Sequence, residues 1–251
     1  MNTLRLGITG GCLNTGNGLI PLSAVYHRVL AKRVESECGV KLRIHLGSLE
    51  TPDRAAHLEA VRDLLDRRKP DRFIYQIRPE FLWLLSTQLW KRRDQAGLAS
   101  IGFNSLSHSE SKCSVKEPGV RPIGRLRRLN WQLARLSGAH AKGWRCLREL
   151  LFEIEELCRQ RNTRLALLGP IFGPWYLDAF QESAERSLQA IAADLDVRYV
   201  ELRRPLTEDE HTESLWFEDG CHLNAAGHRT TADVVFPLIK DWAIRNREAP
   251  P

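Results

Sequence analysis

The sequence predicts a three-layer α/β/α domain around a mainly parallel sheet. Three observations lead there. Short apolar runs alternate with longer amphipathic ones along most of the chain. The alternation is strict, as in sheets covered on both faces by crossover helices. The chain has 251 residues and is 43% apolar, enough for one sizeable core.

The elements follow in order. Leu4–Thr9 is the first strand, and Pro21–Glu37 the first amphipathic helix. Lys41–Leu46 reads as the second strand. Asp53–Arg68 is the second helix, and Thr51-Pro52-Asp53 supplies a cap and an early proline for its start. Arg72–Ile77 is the third strand. After Ile77 the chain is too long for a single crossover. Ser105–Lys116 is polar and Ser-rich, a loop. Pro118–Arg148 has no acidic residue but carries Arg121, Arg125, Arg127, Arg128, Arg135, Lys142, Arg145 and Arg148. This marks a basic insertion at about 100–148, read as a helical lid, with Trp83, Trp90, Trp131 and Trp144 as its packing. The alternation then resumes with helix Gly143–Arg161, strand Arg164–Leu168, helix Trp175–Ala193, strand Val197–Val200 and helix Ala225–Arg247.

The bulk properties exclude some classes. The net charge of +6 suits an acidic partner and equally a solvated basic surface. No apolar run of about eighteen residues is present, so no membrane span is expected. The N-terminus has no signal-peptide pattern. The six cysteines show no C-x-x-C, so neither a zinc site nor a disulfide framework is suggested, and a cytoplasmic location is expected.

Two segments carry chemistry. Near the C-terminus, Asp219 precedes His222 by three residues, just before the last helix. A carboxylate there can orient the imidazole and stabilise its protonated form; the same Asp could also belong to a structural helix start. His228 is expected on the surface. The second segment, Gly10-Gly11-Cys12-Leu13-Asn14-Thr15-Gly16-Asn17-Gly18, follows the first strand. Its glycines allow a tight turn, which would stand Cys12 at the carboxyl edge of the sheet, where such folds place their sites.

These residues resemble the SGNH (GDSL-type) hydrolases. Gly10-Gly11-Cys12-Leu13 matches the spacing of the family's Gly-Asp-Ser-Leu, and Asp219-x-x-His222-Leu223-Asn224 matches its last motif. Leu46-Gly47-Ser48-Leu49 stands where the second block falls, and Ile77-Arg78-Pro79-Glu80 where the third, normally Gly-x-Asn-Asp, falls. The resemblance implies one domain over 1–251 with a flavodoxin-like sheet. It also implies Cys12 as nucleophile in place of serine, His222 as base and Asp219 as its orienting acid. The oxyanion would be held by main-chain N–H groups at Cys12 and at Gly47 or Leu49, with Arg78 replacing the missing asparagine and Asn14 donating at the mouth.

A cysteine nucleophile makes a thioester acyl-enzyme, reactive toward amines and thiols as well as water. The expected activity is acyl transfer from an ester or thioester. An esterase or thioesterase, and a non-catalytic binding protein on the same scaffold, remain the alternatives. No metal or other cofactor is implied. The implied partner is a small-molecule acyl donor; the basic insertion would suit an acyl-pantetheine or an acidic carrier protein. Neither nucleic acid nor a membrane is expected as a partner.

Overall fold

In the computed structural model the described residues are 2–10, 12–14, 16–48, 54–78, 139–173, 178–208, 212–217 and 222–248. Leu49, Asp219, Cys221, the Ser105–Lys116 loop, most of the basic insertion, and Trp83, Trp90 and Trp131 lie outside them. The chain divides into a unit of Met1–Pro79 with Arg148–Pro251, and a second unit, Glu80–Leu147. Of the second, the described part is the helical start Ala139–Leu147.

The first unit is built on five parallel strands: β1 (Thr3–Gly10), β2 (Lys41–Ser48), β3 (Arg72–Gln76), β4 (Arg164–Leu168) and β5 (Arg198–Val200), in spatial order β2-β1-β3-β4-β5. The helices are α1 (Tyr26–Cys38), α2 (Arg54–Arg68), α3 (Ala139–Arg159), α4 (Asp178–Asp194), the short α5 (Arg203–Thr207) and α6 (Ala225–Glu248). The strand order is that of the flavodoxin-like sheet, so the expected fold class holds.

The period-two pattern of β1 assigns the layers. Leu4, Leu6 and Ile8 are fully buried and join Leu30 and Val34 of α1 and Val235, Ile239 and Trp242 of α6 in one core. The alternate residue, Gly7, faces α2: a methyl group there would strike Leu64 and Phe73. On that second face α2 is laced by ion pairs to α3, Arg54 to Glu149 at 3.0 Å, and to the turn after α3, Asp66 to Arg161 at 2.6 Å. Among the described residues no helix is long and apolar enough to cross a membrane.

Helix α1 starts later than its sequence pattern suggests. A 3₁₀ turn, Leu22–Ala24, takes up the first residues, and Val25 is extended before Tyr26 begins the helix. His228, expected on the surface, is instead 2% exposed. It lies one turn before Ala232 and two before Val235, on the stripe of α6 that faces the core.

Three buried groups set an expected pH dependence. Burial pushes His27 and His228 down to about 4, and nearby Arg28 adds to the effect on His27. The unfolded chain binds these protons first. Their contribution to stability is therefore complete above pH ~6.5 and is lost as the pH falls toward 4. Glu185 has the opposite sign. Burial raises it to about 7, against the bond it accepts from the Tyr199 hydroxyl at 2.5 Å. Its contribution is complete below pH ~4.5 and is lost as the pH rises through 7. Removing the Glu185 term should steepen the net rise: in thermal melts, the gain from pH 4.5 to pH 7 should be larger for Glu185→Gln than for wild type, by roughly 1–3 kcal/mol. Parallel profiles for the two proteins would refute the buried-acid assignment.

Candidate active site

The carboxyl edge of the sheet gathers most of the described candidate residues. Gly10 ends β1 opposite Ser48, the last residue of β2. Gly10 approaches Gln76, at the end of β3, so closely that a methyl group on it would collide with the Gln76 carboxamide. Any side chain at this position would have to displace the Gln76 carboxamide. A 3₁₀ turn, Cys12–Asn14, follows, so the backbone of Cys12 stands two residues beyond the strand. A second turn, Gly16–Gly18, uses positive φ angles of 62° and 70° at its two glycines.

The loop carrying His222 is fixed from the other side. Trp216 and Leu223 form an antiparallel bridge, and the Phe217 amide donates to the His222 carbonyl at 2.9 Å. Leu223 is buried in the core shared by β1, α1 and α6. Asn224 does three jobs. Its Oδ1 accepts from the amides of Ala226 (2.8 Å) and Gly227 (3.2 Å), capping α6. Its Nδ2 donates to the carbonyls of Ser214 (2.7 Å) and Trp216 (3.1 Å). Its amide donates to the Leu215 carbonyl at 3.0 Å. The Leu-Asn pair after His222 is thus the anchor of the loop, and Asn224 carries the cap of α6.

Tyr26 ties the two segments together. Its hydroxyl donates to Asn14 Oδ1 at 3.0 Å, within the turn that Cys12 begins. Its amide donates to His228 Nδ1 at 3.3 Å, in the second turn of α6. The His228 ring lies nearly parallel to the Tyr26 ring, with centroids 6.4 Å apart. Because Nδ1 accepts, the proton of the neutral ring sits on Nε2, and burial keeps the ring neutral near pH 7. One buried tyrosine therefore couples the Cys12 turn to the helix that follows His222.

The remaining candidates are placed as follows. Gly47 lies inside β2 beside Thr9, packed against Leu64. Asn14 is 3% exposed; its Nδ2 has no partner among the described residues and faces Gly10. Arg78 is half-buried, two residues past β3, at the same edge. Tyr26 and Gln76 were not among the expected residues, and His228 was expected on the surface. For His228 a signal existed in the period of α6. Tyr26 had none, since its partner is 202 residues away. Cys158 is a poor nucleophile: burial pushes its thiol up to about 12, which leaves it protonated.

No protein-family model and no curated protein sequence matches the chain. Solved structures do. The chain superposes on TesA with a TM-score of 0.59 at 18% identity, over 94% of this chain and 98% of that one. It superposes on the psychrotrophic esterase EstA from Pseudoalteromonas sp. with a TM-score of 0.58 at 12% identity, over 95% and 97%. For the lipase/acylhydrolase from Enterococcus faecalis the values are 0.53 and 12%, over 96% and 97%. Across nearly its whole length, the chain has the fold of these esterases and acylhydrolases.

Proposed function

We propose that the chain is an acyl-transfer enzyme that works through a thioester at Cys12. The observation that supports this most is the Tyr26 tie, which holds the turn starting at Cys12 and the helix following His222 in one buried unit. In the proposed cycle the Cys12 sulfur attacks the acyl carbonyl of an ester or thioester, and its proton passes to His222. The developing oxyanion takes hydrogen bonds from main-chain amides at Cys12 and at Gly47 or Leu49, and from Arg78. The leaving alcohol or thiol departs with the proton from His222, leaving the acyl group on sulfur. The acceptor then gives its proton to His222 and attacks the thioester, and Cys12 is released as thiolate or thiol. Asp219 orients His222 throughout. The donor we favour is an acyl-pantetheine, free or on an acidic carrier, because the insertion at 118–148 has cations and no acid.

Hydrolysis, with water as acceptor, is the second reading. The likeness in fold to esterases and acylhydrolases favours it. The two separate in one experiment. The protein is mixed with an activated acetyl ester, with and without a thiol or amine acceptor, and followed by intact-mass spectrometry and product analysis. An acetyl adduct on Cys12 that an acceptor discharges into acetylated acceptor is the expected result. Free acetate unaffected by acceptor would assign hydrolysis instead. No adduct on Cys12 would remove the nucleophile.

A further inference from the structure

The edge of the sheet opposite the candidate site carries guanidinium groups that the described carboxylates do not balance. Arg72 opens β3 and Arg164 opens β4, and they are register partners. Partners on adjacent parallel strands project from the same face, with backbones about 4.8 Å apart. Here that is the face covered by α6, where Arg72 Cζ lies 6.0 Å from the centre of the Trp242 ring.

Two of the nearby acids are already engaged. Asp71 accepts from the Arg5 amide at 2.8 Å and from Arg5 Nη2 at 2.6 Å. Asp241 accepts from Arg245 Nε at 3.0 Å. Arg72 keeps one bond, from Nη1 to the Asp71 carbonyl at 2.8 Å. Its Nε is sealed from solvent and has no partner among the described residues. Burial, and then the charge of Arg164, both weaken its hold on a proton.

Beside this pair opens a cavity of about 520 Å³ whose wall includes Arg164, Arg198, Glu155, Asp196 and Trp242. Arg164 and Arg198 are exposed on the first turns into β4 and β5, and neither has a carboxylate partner among the described residues. The wall holds four arginines against three acids, so the cavity carries net positive charge. Two planar guanidinium forks can share the oxygens of one phosphate, each bidentately, which a single carboxylate cannot offer to both. The volume is that of a small-molecule site, well beyond a bare phosphate.

We propose that this cavity binds a phosphorylated small molecule, with its phosphate clasped between Arg164 and Arg198. The ligand's charge relieves the repulsion between Arg164 and Arg72. Glu155 and Asp196 accept hydrogen bonds from hydroxyl groups on the rest of the ligand. The site stands independently of the acyl chemistry, on the far edge of the sheet.

Calorimetric titration of the full chain tests it, using inorganic phosphate, ribose 5-phosphate and phosphatidate-containing vesicles against chloride at equal ionic strength. Ribose 5-phosphate should bind, and more tightly than inorganic phosphate. Arg164→Gln and Arg198→Gln should each weaken it at least tenfold. Both side chains are exposed, so both variants should melt no lower than wild type without ligand, and Arg164→Gln should melt slightly higher. No heat with either soluble phosphate overturns the proposal. So does binding by both variants as tight as by wild type, or binding to the vesicles alone.

Discussion

Cys12→Ala should abolish acyl-adduct formation and lower acyl transfer by about a thousandfold or more, the range seen when the nucleophile of a catalytic triad is removed. His222→Ala should cost nearly as much. The double variant should be no worse than either single one, because nucleophile and base act as one unit. The melting temperature should change little, since Cys12 follows the strand in a 3₁₀ turn rather than filling the sheet. Cys12→Ser is the informative intermediate. An oxygen ester is less reactive toward thiols than a thioester, so the serine variant should lose transfer to a thiol acceptor more than it loses hydrolysis. Steady-state rates with one activated ester and two acceptors check this. Full activity in Cys12→Ala would end the covalent mechanism at Cys12.

The second large effect is expected at a residue with no chemistry. Gly227 lies in the first turn of α6, where the Leu215 carbonyl and the Leu223 side chain press against it. A methyl group there would collide with that carbonyl. The carbonyl belongs to the backbone and also accepts the Asn224 amide, so no rotamer change can yield the space. Helix propensity alone would make alanine at this position favourable by about 1 kcal/mol. The clash is expected to outweigh that gain and destabilise the protein by roughly 1–3 kcal/mol, measured by urea unfolding. His222 rides on the same loop, so activity should fall at temperatures where Gly227→Ala is still folded. Gly39 is the control. It has a φ of 65° but open space around it, so alanine there should cost about 1 kcal/mol of strain and leave activity intact. A Gly227→Ala protein as stable and active as wild type would show that the loop can shift freely.

Much of the fold was legible because buried parallel strands are written as short apolar runs. Arg164–Leu168 has the bounds expected of it, and Lys41–Leu46 only continues two residues further. The start of α1 was less legible. Pro21 is compatible with a helix start, but here it precedes an isolated 3₁₀ turn. α5 was missed because five residues with a proline among them show no period. In the candidate site, the turn of Cys12 and the loop of His222 were visible as motifs at the ends of elements. The contacts that hold these segments were not. A neutral, buried histidine reads as a surface residue when judged by polarity, although its place on the α6 stripe said otherwise. The partnership of Tyr26 with Asn14 and His228 is made by packing between distant segments, and no local pattern records it.

The Tyr26 tie also bears on when the protein becomes competent. β1 is made well before α6, and it sits inside the sheet with β2 and β3 on its two sides. Tyr26, whose hydroxyl holds the turn that follows β1, gains its own partner only when residue 228 has been made and α6 has docked. Until then a nascent chain can form the sheet and still lack an ordered Cys12 turn. A thiol at Cys12 would in this way be kept from its chemistry until α6 has docked on the sheet.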